Sequence, residues 1–280
     1  MERKKKMKKL LAVVYLILIF CIGIAIGDTI GPTGIVLKYI NDPGFTGYMS
    51  KYETTNAQYC QFLNAALASH DITVSSNAVT GLSGDYAGQL YYDLAGQGYT
   101  FDNAINGGAA RINYTGSSFT VDSGFENHPV TYVSWYGATA FCNYYSYRLP
   151  TENEWQAVAD FDGSYIYGCG TSIDNSKANY YGSTHPDGTT VIGSFGEYGY
   201  GMCDMAGNVL DWTSTISGNY YRIRGGGWND STEACKVSYS GYNAPDNVGY
   251  TYGFRVVPEP ASAFLLIVGM GLFRLRNRKR

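Results

Sequence analysis

Charge is scarce in this sequence: only 15% of its 280 residues are Asp, Glu, Lys or Arg, against 45% hydrophobic. That balance excludes a disordered chain, which combines low hydrophobicity with high charge. Histidine is rarer still. His70, His128 and His185 stand alone in the sequence, so no nucleophile–base pairing is evident. None of the six cysteines forms a Cys-x-x-Cys pair, which argues against a structural zinc site. No phosphate-binding or dinucleotide glycine fingerprint follows a credible strand. The 35 glycines lack the three-residue period of collagen, and no repeat of about 20 to 50 residues marks a solenoid or propeller.

Positive charge is also missing from the middle of the chain. Eleven of the 20 Lys and Arg lie in residues 1–27 and 258–280, leaving nine there against 21 of the 23 acidic residues, a net charge of about −12. A body this acidic repels phosphate backbones, so nucleic acid is excluded as a partner and metal cations are favoured.

The two ends are of a different kind. Residues 1–9 are strongly basic, an apolar run follows from Leu10 to Gly27, and Asp28 ends it. Basic, apolar and small-residue regions in that order describe an export signal over 1–27; an uncleaved anchor is the alternative, since 18 apolar residues can just span a bilayer. At the other end Pro258-Glu259-Pro260 precedes an apolar stretch, Ala261 to Phe273, and then Arg274, Arg276, Arg278, Lys279 and Arg280. Thirteen residues are few for a membrane helix, and the basic cluster would hold that end in the cytoplasm. A plain tail anchor is one reading of 258–280. If Cys21 leaves with the signal, five cysteines remain (Cys60, Cys142, Cys169, Cys203 and Cys235), so at least one is unpaired or joins another molecule.

Within the body, 28–257, three helices are predicted. Thr54-Thr55-Asn56 offers caps for a helix over Ala57 to Leu67, with Tyr59, Phe62, Leu63, Ala66 and Leu67 on one face. Ser134 caps a second, carrying Ala138, Phe141, Cys142 and Tyr145. Thr151 and Glu154 form a capping box opening a third. That box accounts for Glu154 better than acid catalysis does, and Glu152, two residues away, does not face it. Residues 70–126 read as loops and short strands, and only short strands are expected beyond Asp160. The result is a single α+β domain.

Six blocks give the body a family resemblance. They are residues 48–59, His128 to Trp135, Arg148 to Trp155, Gly201 to Trp212, Arg224-Gly225-Gly226-Gly227-Trp228, and Gly253-Phe254-Arg255-Val256. In this order they resemble the formylglycine-generating enzyme family, also called the sulfatase-modifying-factor domain. The resemblance implies a C-type-lectin-like fold, low in regular secondary structure. The tail 258–280 resembles the PEP-CTERM sorting signal of Gram-negative bacteria, implying recognition by an exosortase-type processing enzyme and delivery to the cell envelope, surface or matrix.

The strongest chemical signal is Asp204-x-x-Gly207-x-Val209-x-Asp211. Two carboxylates seven residues apart, with a glycine and free carbonyls between, can wrap a hard cation that takes six to eight oxygens. Turn capping by these acids is the plainer alternative. By resemblance, calcium is held by the Asp204 and Asp211 side chains and the Gly207 and Val209 carbonyls. A second calcium site matches Asn179, Tyr180, Asp187 and Thr189. The family's active members bind copper(I) with two cysteines five residues apart and oxidise a sulfatase cysteine to formylglycine. Here the first position is Asp230 and the second is Cys235, the catalytic candidate. A carboxylate and one thiolate suit copper(I) poorly, so calcium is expected and copper is not.

The leading expectation is therefore an exported, calcium-stabilised binding domain for a polysaccharide or protein ligand. Its recognition surface is placed in residues 229–252, with Trp228, Asn229, Asp230, Tyr239, Tyr242 and Asn243 as contacts, because Tyr and Asn suit adaptable recognition. All four tryptophans are nonetheless expected chiefly in the core. An oxidase using Cys235 with another partner is the second reading, and a structural matrix protein cross-linked by its odd cysteine is the third.

Overall fold

The computed structural model describes residues 28–96, 99–101, 104–107, 109–183 and 188–259. Residues 1–27, expected to form an export signal, the tail from Pro260 onward and Asp187 lie outside the described residues. Among the described residues, no helix is long and apolar enough to cross a membrane.

The body opens on a three-stranded antiparallel sheet of β1 (Thr29–Ile30), β2 (Val36–Asp42) and β3 (Phe45–Ser50). Helix α1 (Asn56–Ala68) follows, then a sheet of β4 (Ile72–Ser75), β5 (Ala78–Gly81) and β6 (Leu90–Asp93). Two hairpins come next, β7 (Tyr99–Phe101) with β8 (Ala104–Gly107) and β9 (Ile112–Tyr114) with β10 (Phe119–Val121). Helix α2 (Trp135–Tyr144), β11 (Tyr147–Arg148) and helix α3 (Glu152–Asp160) precede a long loop region. The final sheet has the order β14–β13–β12–β15, from β12 (Leu210–Ser217), β13 (Tyr220–Arg224), β14 (Gly241–Asn243) and β15 (Tyr252–Gly253). The closing strand β16 (Val257–Pro258) returns to pair with β11.

Local signals fix the helices. The Thr55 hydroxyl accepts the Gln58 amide N–H, and the Gln58 side chain accepts the Thr55 N–H in return. Ser134 caps α2 through Gly137 N–H. In α3, Thr151 Oγ1 accepts the Glu154 amide while Glu154 Oε2 accepts the Thr151 amide at 2.8 Å. Beyond Asp160, β12 runs for eight residues, longer than the short strands expected there. Its first four residues are all buried, so the apolar–polar alternation that betrays a half-exposed strand is absent.

Two main clusters form the core. One gathers the inner faces of α1 and α2, where Tyr59, Phe62, Phe141 and Phe254 meet edge-to-face or stacked. The other packs α3 on the first sheet through Trp155, Val158, Ile40 and Met49. All four tryptophans are buried, as expected.

Glu154 does two jobs. Besides capping α3 it binds Arg148 through two contacts of 2.6 Å. Burial alone would raise its pKa, but Arg148 and the Thr151 amide outweigh it and hold the carboxyl below its ordinary value of 4.5. A depressed carboxyl stabilises the fold above its unfolded pKa, and that stability is lost as pH falls through the folded value. Glu154→Gln keeps the cap and loses the ion pair. It is expected to cost about 1 kcal/mol at pH 7, and progressively less below about pH 4 as the parent loses the same interaction. Thermal unfolding of both proteins from pH 7 to pH 3 checks this; a constant difference across the range would refute it.

Candidate functional site

Residues 203–211 run from the long loop into β12 as a knot of unusual backbone. Asp204, Gly207 and Asn208 all have positive φ, at 55°, 79° and 66°. Distant segments stitch the knot in place. Cys203 N–H donates to Lys51 O, Gly207 N–H to Gly225 O, and Asn208 N–H to Asn179 O. Gly207 is required here, because a Cβ would overlap the Asn179 carbonyl.

The knot closes over a buried charge cluster. Arg255, fully buried, donates Nε–H to Asp211 Oδ2 at 2.7 Å and its terminal nitrogens to the carbonyls of Ser50, Lys51, Cys203 and Asp204. Trp155 Nε1–H donates to the same Asp211 oxygen at 2.8 Å. Glu53, also buried, accepts Asn208 Nδ2–H at 2.6 Å and Val209 N–H at 3.1 Å. Asp204 Oδ2 accepts Gly193 N–H at 2.6 Å. Three carboxylates thus share one guanidinium. Burial, with the charges of Asp204 and Asp211 added, pushes the Glu53 carboxyl well above its usual range, and burial lifts Asp204 to about 6.

The structure sets Asp204 and Asp211 on either side of Arg255, which donates to the Asp204 carbonyl and the Asp211 carboxylate, while Val209 N–H is taken by Glu53 and Gly207 N–H by Gly225 O. Among the described residues, no three His, Cys, Asp or Glu side chains gather to hold a metal, so backbone carbonyls would have to complete any coordination shell. One feature fits a hard cation. Asp211 Oδ1 is a buried carboxylate oxygen without a partner, in a cluster with more acids than cations. At the second predicted site, Asn179 Nδ2–H donates to Gly188 O, its Oδ1 accepts from Ser183, and the Tyr180 carbonyl accepts Ser183 N–H. Thr189 Oγ1 is paired with His128 at 3.0 Å.

Sequence reasoning missed Glu53, Asn208 and Arg255. A signal for Arg255 was present: one of only nine basic residues in the acidic body, it sits between Phe254 and Val256. A lone cation in an apolar run is buried only when paired.

The catalytic candidate Cys235 is fully buried against Cys169, Ala178 and Ala206. Burial first, then the charge of nearby Asp230, pushes its thiol up to about 12. Asp230 Oδ2 accepts Gly227 N–H at 2.8 Å and so closes the glycine turn. The other four cysteines are buried and free as well. A thiol reagent is therefore expected to modify none of these five in the native fold and all five after unfolding; rapid labelling of Cys235 in the native state would contradict this.

The predicted contact residues divide. Tyr239 and Tyr242 are exposed, and Tyr242 lies 5.3 Å from exposed Tyr220, with the Arg222 guanidinium 5.9 Å from its ring. Trp228 is a correction: it is buried, its indole N–H bonded to Tyr250 O, and it supports the surface from beneath. Asn229 and Asp230 are half-buried, and Asp230 is held in the turn. Asn243 spends its carbonyl oxygen on Ala244 N–H and Asn247.

Residues 40–260 match the family described as the sulfatase-modifying factor enzyme 1-like domain. The chain is 33% identical over 168 residues to the serine/threonine-protein kinase pkn1 of Chlamydia caviae, covering 52% of this chain and 26% of that one. It is 30% identical over 148 residues to the inactive C-alpha-formylglycine-generating enzyme 2 of Mus musculus, covering 45% and 48% respectively. It thus spans about a quarter of the kinase's length and about half that of the mouse protein. Among solved structures it resembles Treponema denticola variable protein 1 (TM-score 0.57, 17% identity, 84% of this chain and 100% of that one). It also resembles CarF (TM-score 0.53, 20% identity, 75% and 85%). At such identities these likenesses establish the fold: a mostly-sheet, C-type-lectin-like single domain, with three α-helices among the described residues.

Proposed function

The chain belongs to the sulfatase-modifying factor enzyme 1-like family, and from that premise we propose that it is a non-oxidising member: an exported, calcium-stabilised domain that binds a surface or matrix ligand. The pair Asp230 and Cys235 carries this reading. Where the paired sulfurs of a copper(I) site would stand there is one carboxylate, committed to a backbone amide, and one thiol sealed in the core. Copper(I) takes soft thiolates, and a thiol pushed up to about 12 does not supply one at neutral pH.

Calcium would be held by the side chains of Asp204 and Asp211 and the carbonyls of Gly207 and Val209. It would relieve the excess of buried negative charge that Arg255 balances only in part. The ligand, a polysaccharide or a protein, would meet the exposed tyrosines Tyr220, Tyr239 and Tyr242. The ends of the chain support export to a Gram-negative envelope, with the tail as substrate of an exosortase-type enzyme. Because all five body cysteines are buried, cross-linking through an odd thiol is disfavoured as the main role.

The test uses the full chain in detergent. Elemental analysis is expected to find calcium and no copper. Incubation with copper(I), oxygen and a cysteine-containing peptide is expected to consume no oxygen above the copper-free control. Near-stoichiometric copper with peptide oxidation that is lost in Cys235→Ala would overturn the proposal in favour of an oxidase.

A further inference from the structure

The two ends of the described fold leave it side by side. Across the first sheet Thr29 pairs with Leu37, and Leu37 with Ser50. Ser50 N–H then donates to Val256 O at 2.8 Å, and Val256 N–H to Ser50 Oγ at 2.9 Å. Three strand spacings therefore separate residue 29 from residue 256, about 15 Å. Tyr147 ties the same region together. Its backbone pairs with Pro258 in β16, and its hydroxyl donates to Pro32 O at 3.3 Å, beside β1.

Neither end has a linker. The apolar run 10–27 stops one residue before Asp28, whose carboxylate is 2.7 Å from Lys38 Nζ. At the other end Glu259 N–H donates to Ser146 O, and only Pro260 separates it from the apolar stretch that starts at Ala261. An extended chain spans at most about 3.6 Å per residue, so two residues give the domain roughly 7 Å of freedom. The surface between the ends is partly apolar, and the charged groups at its edge are exposed Asp28, paired with Lys38, and half-buried Arg148 and Glu259. Ile30 is 69% exposed, and Pro32 and Gly34 are exposed beside it.

We propose that this surface, Ile30 of β1 and the 31–34 turn lying over the buried strands β11 and β16, is a membrane-facing surface that lies flush on the lipid bilayer while the apolar tail is inserted. The inference rests on the tethering proposed above and adds the face that tethering selects. The charge order of the ends agrees with it: a basic cluster precedes the first apolar run and follows the second, which puts both clusters in the cytoplasm and both ends of the body on the opposite side. Cleavage of residues 1–27 would leave the arrangement intact, because the tail alone allows no more slack. Tyr242 belongs to a different sheet and is exposed beside Tyr220. It is on β14, three strands from β15 in the final sheet.

The full chain, with Cys21→Ser to leave only the buried native thiols, is reconstituted into phosphatidylethanolamine–phosphatidylglycerol vesicles. A fluorophore is attached at Ile30→Cys, at Pro32→Cys in a second protein, and at Tyr242→Cys in a third. Brominated lipid is expected to quench the labels at 30 and 32 several-fold more than the label at 242. Equal quenching at all three positions in vesicle-bound protein would overturn the proposed face. Protein washed from the vesicles at alkaline pH would instead overturn the tethering on which it rests. The two failures are distinguishable because the wash is scored separately from the quenching.

Discussion

Asp211→Ala is expected to lower the free energy of unfolding by about 3–5 kcal/mol, the usual cost of removing one partner from a buried ion pair. Asp211 is 1% exposed, and one of its oxygens receives both the Arg255 guanidinium and the Trp155 indole. Truncating it leaves the guanidinium, itself 0% exposed, without its direct carboxylate partner. Glu53 is close enough to feel the same charges, and its ionisation would recover part of the loss. Most domains have only about 5–15 kcal/mol to lose, so the variant should show a large unfolded fraction in a denaturant titration. Asp211→Ala combined with Arg255→Met should be less damaging than the single change, since an apolar pair can replace a buried ionic one. A single-variant loss below about 1 kcal/mol would show that the pair does not hold the knot.

Gly207→Ala is the second large effect. The φ of 79° costs a residue with a Cβ about 1–2 kcal/mol, and the new carbon would overlap the Asn179 carbonyl that receives Asn208 N–H. The total is expected to exceed about 2 kcal/mol, and the proposed stabilisation by added calcium should fall with it, because the clash pushes the 204–211 knot away from residue 179. Gly218→Ala is the control. Its φ is 66°, but a Cβ there meets nothing within 4 Å, so it should show the backbone cost alone. Melting midpoints with and without calcium decide the matter; equal losses at the two positions would mean that the close approach to Asn179 is unimportant.

The helices were legible in the sequence because their signals are local. A hydroxyl and a Gln or Glu three residues on suffice at Thr55 and Thr151, and a capping hydroxyl with its apolar face suffices at Ser134. Strand β12 was not, since its entry is buried on both faces and carries no alternation. The site was half legible. Asp204 and Asp211 stood out as carboxylates flanking a glycine, yet their neighbours Glu53 and Arg255 lie far off in sequence, and a long-range ion pair leaves no local pattern. Side-chain direction in 228–230 was equally hidden. Whether Trp228 faces outward or inward depends on how Gly225, Gly226 and Gly227 turn the chain, and those φ values, 96° and 71° at the first two, are not written in composition.

The position of Arg255 also bears on when the fold can form. Its partners lie at 50, 51, 203, 204 and 211, so it is synthesised after every one of them. Until the ribosome has delivered it, Asp211 lacks its counter-charge and the centre cannot seal. Contacts of such long sequence separation also slow folding. A nascent chain should therefore lack its sealed centre until nearly the whole body has been synthesised.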